Sequence, residues 1–364
     1  MKKTVVFLLL SVSLLLASGQ TAKYSNEFLS LGIGARGLGM SNTMTSIAND
    51  VTAAYWNPAC LSQMSKRYEL GLMHAEYFAG IAKYDYGGVA VKIDSTSTVA
   101  FSYIRFGVDH IMNTTELIDN QGNIDYNRIS YFSSADNAFL LSYAHHFKQV
   151  RGLSIGGNVK ILRRRIGDFA GSWGFGLDVG VHYVNKGWNV GAVLRDATST
   201  FNAWSYHLSD QVIDVFERTG NEIPTNSLEL TIPKFLVGAG KYVELGKGFN
   251  ATFALDFDIT FDGKRQSLIR SKVLCVDPHF GMEFAYKRIV ALRAGIGNFQ
   301  RLRDFDDKVR TSLQINLGIG VCIKNIVSID YALTDIGDLS IAQYSHVFSL
   351  RVGIDRFRKK RTTL

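Results

Sequence analysis

The sequence predicts an all-β membrane protein: an antiparallel transmembrane β-barrel of about 14 strands with an N-terminal helical plug or hatch segment. Three observations predict it. Apolar and polar residues alternate with period two through most of the chain, the links between alternating segments sort into short and long, and the N-terminus reads as a secretory leader.

The leader comes first in the chain. Lys2 and Lys3 precede the apolar run Thr4 to Ala17, and Ala17 and Gly19 supply small residues for cleavage. That run is too short for a membrane span. No cysteine follows it, which argues against a lipoprotein, so residues 1–19 are expected to be removed and the protein to work in a Gram-negative cell's outer membrane. Residues 20–66 form the plug segment, 67–355 the barrel and 356–364 a basic periplasmic tail. The formal charge of +8 includes Lys2, Lys3 and the tail residues Arg356, Arg358, Lys359, Lys360 and Arg361, so the remainder is nearly balanced and gives no reason to expect nucleic acid. Cys60, Cys275 and Cys322 are odd in number and widely spaced, which reads as free thiols rather than a disulfide framework or zinc site.

The strands follow from the alternation. In Thr311 to Val321, Leu313, Ile315, Leu317, Ile319 and Val321 share one face, while Ser312, Gln314, Asn316, Gly318 and Gly320 share the other. Such segments, close to the 9–11 residues of a tilted membrane strand, fall at Arg67–Phe78, Gly80–Ile93, Ser97–Phe106, Asn137–Phe147, Gly152–Arg165, Gly174–Val184 and Gly187–Arg195. The others are Thr231–Tyr242, Gly248–Ile259, Val276–Lys287, Ile289–Gly297, Thr311–Val321, Asn325–Thr334 and Gln343–Ile354. Links after even-numbered segments are short, such as Asn185–Lys186. Those after odd-numbered ones are mostly long, such as Gly107–Asp136, Asp196–Leu230, Thr260–Cys275 and Asn298–Arg310. Outer-membrane barrels sort their loops this way, with short periplasmic turns. Tyr77, Tyr183, Tyr242, Tyr286, Tyr331 and Tyr344 lie near strand ends and suit an interfacial belt.

Several local motifs fail in this context. Gly32, Gly34 and Gly37 match the dinucleotide fingerprint G-x-G-x-x-G, but no βαβ unit surrounds them, so they read as packing glycines. Gly152 to Gly156 matches the nucleophile elbow around Ser154, yet Ser154 enters a strand rather than a strand-to-helix turn. His145 and His146 are adjacent in a strand and point to opposite faces. Asp256, Asp258 and Asp262 read as solvated lumen carboxylates. Arg163, Arg164 and Arg165 close a strand on the external side, where they could meet lipid headgroups, a partner or water. Neither catalytic residues nor a cofactor or metal is expected.

The plug segment is the most distinctive stretch. Asn26 to Leu61 is rich in small residues, with a helix-like middle over Met40 to Tyr55 ending at Asn57-Pro58. Its signature resembles that of the PorV/PorQ family of outer-membrane proteins, itself related to FadL-like barrels with an Asn-Pro-Ala hatch. The resemblance is carried by Gly34, Ala35, Arg36 and Gly37, then Asp50, then Tyr55, Trp56, Asn57, Pro58 and Ala59; Cys60 departs from the family's usual glycine. It implies a non-enzymatic accessory of type IX protein secretion, engaging translocon components or the C-terminal signal domains of cargo. Phe201, Trp204, Tyr206 and Phe216 in the second long external loop would be the partner contacts. FadL-like relatives imply the alternative: passage of hydrophobic small molecules through the lumen and a lateral opening. The barrel's outer face would in either case be covered by outer-membrane lipid.

Overall fold

The structure, a computed structural model, describes residues 25–118, 121–261, 263, 265–271, 273–303, 309–336 and 344–355. The expected leader, the basic tail and Asp262 lie outside the described residues. Strands run β1 Tyr68–Tyr77, β2 Ala82–Lys92, β3 Ser97–Asn113, β4 Ser130–His146, β5 Leu153–Ile166, β6 Ala170–Asn185, β7 Trp188–Arg195, β8 Phe201–Tyr206 and β9 Ser227–Leu230. They continue as β10 Lys234–Gly246, β11 Phe249–Thr260, β12 Ile269–Arg270, β13 Cys275–Tyr286, β14 Val290–Arg303, β15 Val309–Ile323, β16 Val327–Ile336 and β17 Ser345–Ile354.

All pairings are antiparallel, and β1 pairs with β17 from Tyr68↔Ile354 to Glu76↔His346, so the sheet closes on itself. Closure removes the unpaired edges that lipid would not tolerate. The barrel has 14 staves: β7 continues into β8, β9 into β10, and β12 is a two-residue strand beside β13. Alternation sets the two faces. On β6, Trp173, Phe175, Val179, Val181 and Tyr183 face outward, while Ser172, Gly174, Gly176, Asp178, Gly180 and His182 are buried inside.

Strands extend further at the long-loop end than the alternation marks. β3 reaches Asn113, β4 begins at Ser130, and the segment Asp196–Leu230 is built mostly of strand and helix rather than open loop. The interruption between β7 and β8 is pinned from inside. Buried Lys160 Nζ lies 2.8 Å from Asp178 and 2.5 Å from Asp196, and Thr200 Oγ1 donates to Asp196 over 2.5 Å. Across the gap, Thr231 N donates to the Thr200 carbonyl at 2.7 Å, which lets β9 and β10 follow the same path. Tyr77 and Tyr242 correct the interfacial belt: Tyr77 is buried in the lumen against Tyr84, 6.1 Å between ring centroids, and Tyr242 faces the lumen with its hydroxyl donating to Asn250 at 2.8 Å, while Tyr183 and Tyr286 do face outward.

Residues 25–66 lie inside the barrel. The expected helix over Met40 to Tyr55 does not form; the segment carries only short helices, Ala35–Gly39, Ala53–Trp56, and 3-10 turns at Glu27–Ser30 and Pro58–Gln63. Ser41 and Asn42 adopt positive φ and end the first helix at once. In a lumen the walls can satisfy plug backbone groups, so no long helix is needed to do so.

Candidate functional site

The hatch tripeptide is fixed by a residue with several tasks. Asn57 is extended, and its Oδ1 accepts from Ala59 N at 3.1 Å, capping the following 3-10 turn. Its Nδ2 donates to the Thr45 carbonyl at 2.8 Å and to the Val181 carbonyl of β6 at 3.1 Å. Wall glycines make room: a Cβ at Gly180 would stand 2.2 Å from Asn57 Oδ1, and one at Gly156 would stand 2.5 Å from Ala59 N. Cys60 is buried in the same turn, and all three cysteines are free.

Beside it, Tyr55 donates its hydroxyl to the Leu29 carbonyl, carries Arg195 4.7 Å over its ring, and meets Trp56 edge-on at 4.8 Å. Trp56 explains the glycine spacing near the plug's start. A Cβ on Gly37 would come within 2.8 Å of the indole and one on Gly32 within 2.9 Å. Gly34 has φ +77° and gives its N–H to Met73 Sδ, while Ala35 N donates to Ser349 Oγ at 2.7 Å.

Opposite this apolar anchor, the plug is held by charge. Arg36 makes a two-point contact with Glu283, Nε to Oε2 at 3.0 Å and NH2 to Oε1 at 3.1 Å. Glu283 also takes Arg293 Nε at 2.7 Å, whose NH1 reaches Asp330 at 2.7 Å. Asp50 accepts from Arg351 at 2.5 Å and from Thr52 N and Oγ1. Burial alone would push the Asp50 carboxyl up; Arg351, Arg36 and the Thr52 donors outweigh it and hold the group below the ordinary carboxylate range. Paired ions of this kind tolerate burial only because each is hydrogen-bonded as well. Asp256 is a correction to the reading of solvated carboxylates: it is 1% exposed and accepts from Thr45 N at 2.8 Å, so it holds the plug.

Two cavities lie along the charged side. The one at the long-loop end, about 410 Å³, is lined by Leu31, Leu38 and Tyr77 together with Glu27, Lys234, Asp258, Asp277, His279, Gln300 and Asn316. The one at the short-turn end, about 360 Å³, includes Arg36, Glu69, Glu283, Arg293 and Arg351. Between them the turn after the first plug helix presses on β13–β15, where a Cβ on Gly281 would meet Met40 O at 2.6 Å and one on Gly295 would meet Ser41 N at 2.5 Å.

The wall itself changes beside the upper cavity. The β13–β14 ladder runs from Tyr286↔Val290 to Phe280↔Ile296 and, among the described residues, stops there, although β13 starts at Cys275 and β14 continues to Arg303. A bulge between Gly297 and Gln300, with Asn298 at φ 49°, turns β14 off its neighbour. Pro278, which has no N–H to give, sits in the unladdered stretch.

The four loop aromatics do not form one patch. Phe201 and Trp204 are three apart on β8, so Phe201 faces outward, 6.5 Å from Phe175, while Trp204 sits on the other face, giving Nε1 to Glu229 at 2.8 Å and stacking on Tyr206. Phe216 lies on the separate helix Asp210–Arg218. Alternation could have separated Phe201 from Trp204 had the segment been read as strand. Ser154 lies in strand β5 with its Oγ accepting from Ser62 at 2.8 Å, which is not the elbow geometry.

The chain matches no protein-family model and no curated protein. Among solved structures it is similar to the CymD monoaromatic hydrocarbon channel, with TM-score 0.56 and 12% identity over 90% of this chain and 98% of that one. The Ralstonia pickettii toluene transporter TbuX gives TM-score 0.52 and 13% identity, covering 89% and 98%. A Pseudomonas aeruginosa FadL homologue gives 0.52 and 12%, covering 88% and 98%. The fold is FadL-like. At such identities the likeness concerns backbone architecture, a closed 14-strand barrel, and the PorV/PorQ resemblance rests on the plug signature alone.

Proposed function

We propose that this FadL-like barrel is a plug-gated outer-membrane conduit for small molecules with a hydrophobic body, rather than an enzyme or a type IX accessory. The observation that carries the reading is the pair of cavities at opposite ends of the charged side, the upper one beside the wall stretch where β13 and β14 lose their ladder. A solute entering from the lipid or from outside would lie with its apolar part on Leu31, Leu38 and Tyr77 and its polar part toward Gln300 and Asn316. Passage then requires residues 39–43 to leave Gly281 and Gly295, and the Arg36–Glu283 contact to open. The similarity to channels whose names specify hydrocarbons supports the same class of solute. The type IX role has only the signature Ala35-Arg36-Gly37 to Ala59 behind it.

The test is whole-cell uptake of a labelled monoaromatic hydrocarbon and of a medium-chain fatty acid, in a Gram-negative host whose own channel of this type has been deleted. Uptake above the empty host supports the conduit. No uptake, together with recovery of cargo C-terminal domains or translocon components on the purified barrel, would overturn it in favour of secretion.

A further inference from the structure

The lipid-facing surface carries an arginine cleft at the long-loop end that the conduit does not use. Cross-strand register aligns Arg105↔Asn137, Asn137↔Arg163 and Arg163↔Trp173 in one row. The row lies directly above the apolar belt: along β5 the outward residues are Ile155, Val159 and Ile161 before Arg163, and along β6 they run from Tyr183 to Trp173. From Tyr183 to Trp173 is the length of one membrane strand. Trp173 therefore marks the external interface, where the headgroups of the outer leaflet lie.

The next row outward is made of small residues and one more arginine: Gly107↔Ala135, Ala135↔Arg165 and Arg165↔Gly171. The lower arginines fold up over this floor. A Cβ on Gly107 would stand 2.8 Å from Arg105 NH2, and one on Gly171 would stand 2.8 Å from Arg163 NH1. Arg163 is steadied by Trp173, its Cζ 5.1 Å from the ring, and by NH1 donating to the Ser172 carbonyl at 3.2 Å. The result is a shallow cleft floored by Gly107, Ala135 and Gly171, with the Arg105 and Arg163 guanidinium groups over it and Arg165, tied to the Gly167 carbonyl and to Asp168, in its outer row.

Charge balance separates this cleft from the rest of the rim. On β1–β3 the outward polar groups are paired, with His74 hydrogen-bonded to Asp85 at 2.7 Å and Lys83 3.6 Å from Asp109. Arg105 reaches carboxylates only at 3.8 and 3.9 Å. Arg163 has no carboxylate within ion-pair distance among the described residues, and Arg165 pairs only with Asp168, itself 94% exposed. A cationic surface at headgroup depth, with apolar belt below, is complementary to a lipid bearing phosphate.

We propose that Arg105, Arg163 and Arg165 bind the phosphate of a phosphorylated glycolipid of the outer leaflet, whose acyl chains lie along Phe139, Leu141 and Ile161. Guanidinium groups suit this ligand because they offer paired donors to phosphate oxygens and stay charged at a lipid interface. The site anchors and orients the barrel in the outer leaflet and is independent of solute passage.

The test purifies the protein from outer membranes in mild detergent and measures phosphorylated glycolipid retained per barrel by mass spectrometry and phosphate assay. The Arg163→Gln/Arg165→Gln variant is expected to lose at least about tenfold, since two charge-assisted contacts go. Arg165→Gln alone, a fully surface change, loses about threefold. Arg151→Gln at the opposite end retains the wild-type amount. Heat-modifiable migration on gels reports that each barrel is folded. In nanodiscs, the phosphorylated lipid raises the melting temperature of the wild type more than its dephosphorylated form does. Equal retention by folded wild type and double variant overturns the proposal, as does equal stabilisation by both lipid forms.

Discussion

On the β2–β5 side of the lumen the plug offers Phe28, Tyr55 and Leu61 to a continuous apolar cluster with Tyr84, Ile104, Leu140 and Leu162. On the β13–β17 side it offers Arg36 and Asp50 to Glu283 and Arg351, with cavities above and below. Apolar packing is non-directional but short in range, and separating the groups leaves a void that nothing in the lumen refills, so the first contact is costly to open. Ion pairs flanked by cavities can exchange a partner for water, whose high dielectric also weakens the attraction, so the second contact opens at less cost. The first arrangement suits a hinge and the second a latch. One plug thus has an apolar, packed side and an ion-paired side flanked by cavities.

The largest expected effect is on the hinge. Tyr84→Ala removes a fully buried ring and its hydrogen bond to the Phe28 carbonyl, 3.0 Å long. It should destabilise the plug by about 4 kcal/mol. Hydrogen exchange would rise across residues 26–64 while the wall ladders keep their protection. If the wall loosened equally, hinge and barrel would be one cooperative unit and the comparison would fail.

Next is the latch. Glu283→Gln leaves Arg36 and Arg293 short of a counter-charge, a change worth about 3 kcal/mol for a buried pair. Exchange should rise only in residues 35–50, and planar-bilayer conductance should gain open events absent in the wild type. Unchanged conductance with faster exchange would mean that the latch moves without opening a path.

A smaller effect sharpens the role of the upper cavity. Gln300→Trp fills that space and should cut solute uptake several-fold, with stability within about 0.5 kcal/mol of wild type. Uptake at the wild-type rate would place the solute path elsewhere.

The smallest effect is pH. Asp50 is depressed in the folded protein, so its ion pair contributes stability in full above the ordinary carboxylate value of 3.8 and loses it only as pH falls through the lower folded value. The loss of plug protease resistance that belongs to Asp50 should therefore come only in strong acid, below its ordinary carboxylate value. A transition near pH 6 would point to another group.

Much of the wall was legible because alternation is a local property. Each residue of a segment such as Thr311 to Val321 declares its own face, and lipid outside with plug inside makes the division sharp. The segment Asp196–Leu230 reads as loop in the sequence because the pinning of its interruption by Lys160 and Asp178 involves partners distant in sequence. Tyr77 looked like a girdle residue from its place near a strand end, but the face it occupies, not the end, decided its environment. The alternation places Asp256 on the lumen face, but the sequence does not show how closely Thr45 approaches that wall and takes the carboxylate out of water.

The sequence by itself determined the strand period, the sorting of loop lengths and the small-residue composition that lets a plug pack against a wall. Tertiary structure alone decided which plug residue meets which stave: the pairing of Arg36 with Glu283 across 247 positions, the seating of Asn57 on Gly180, and the unladdered seam beside the upper cavity. The physical reason is that a face is set by neighbours one or two residues away, whereas a contact across a lumen requires the closed sheet, its register and the plug to be in place together.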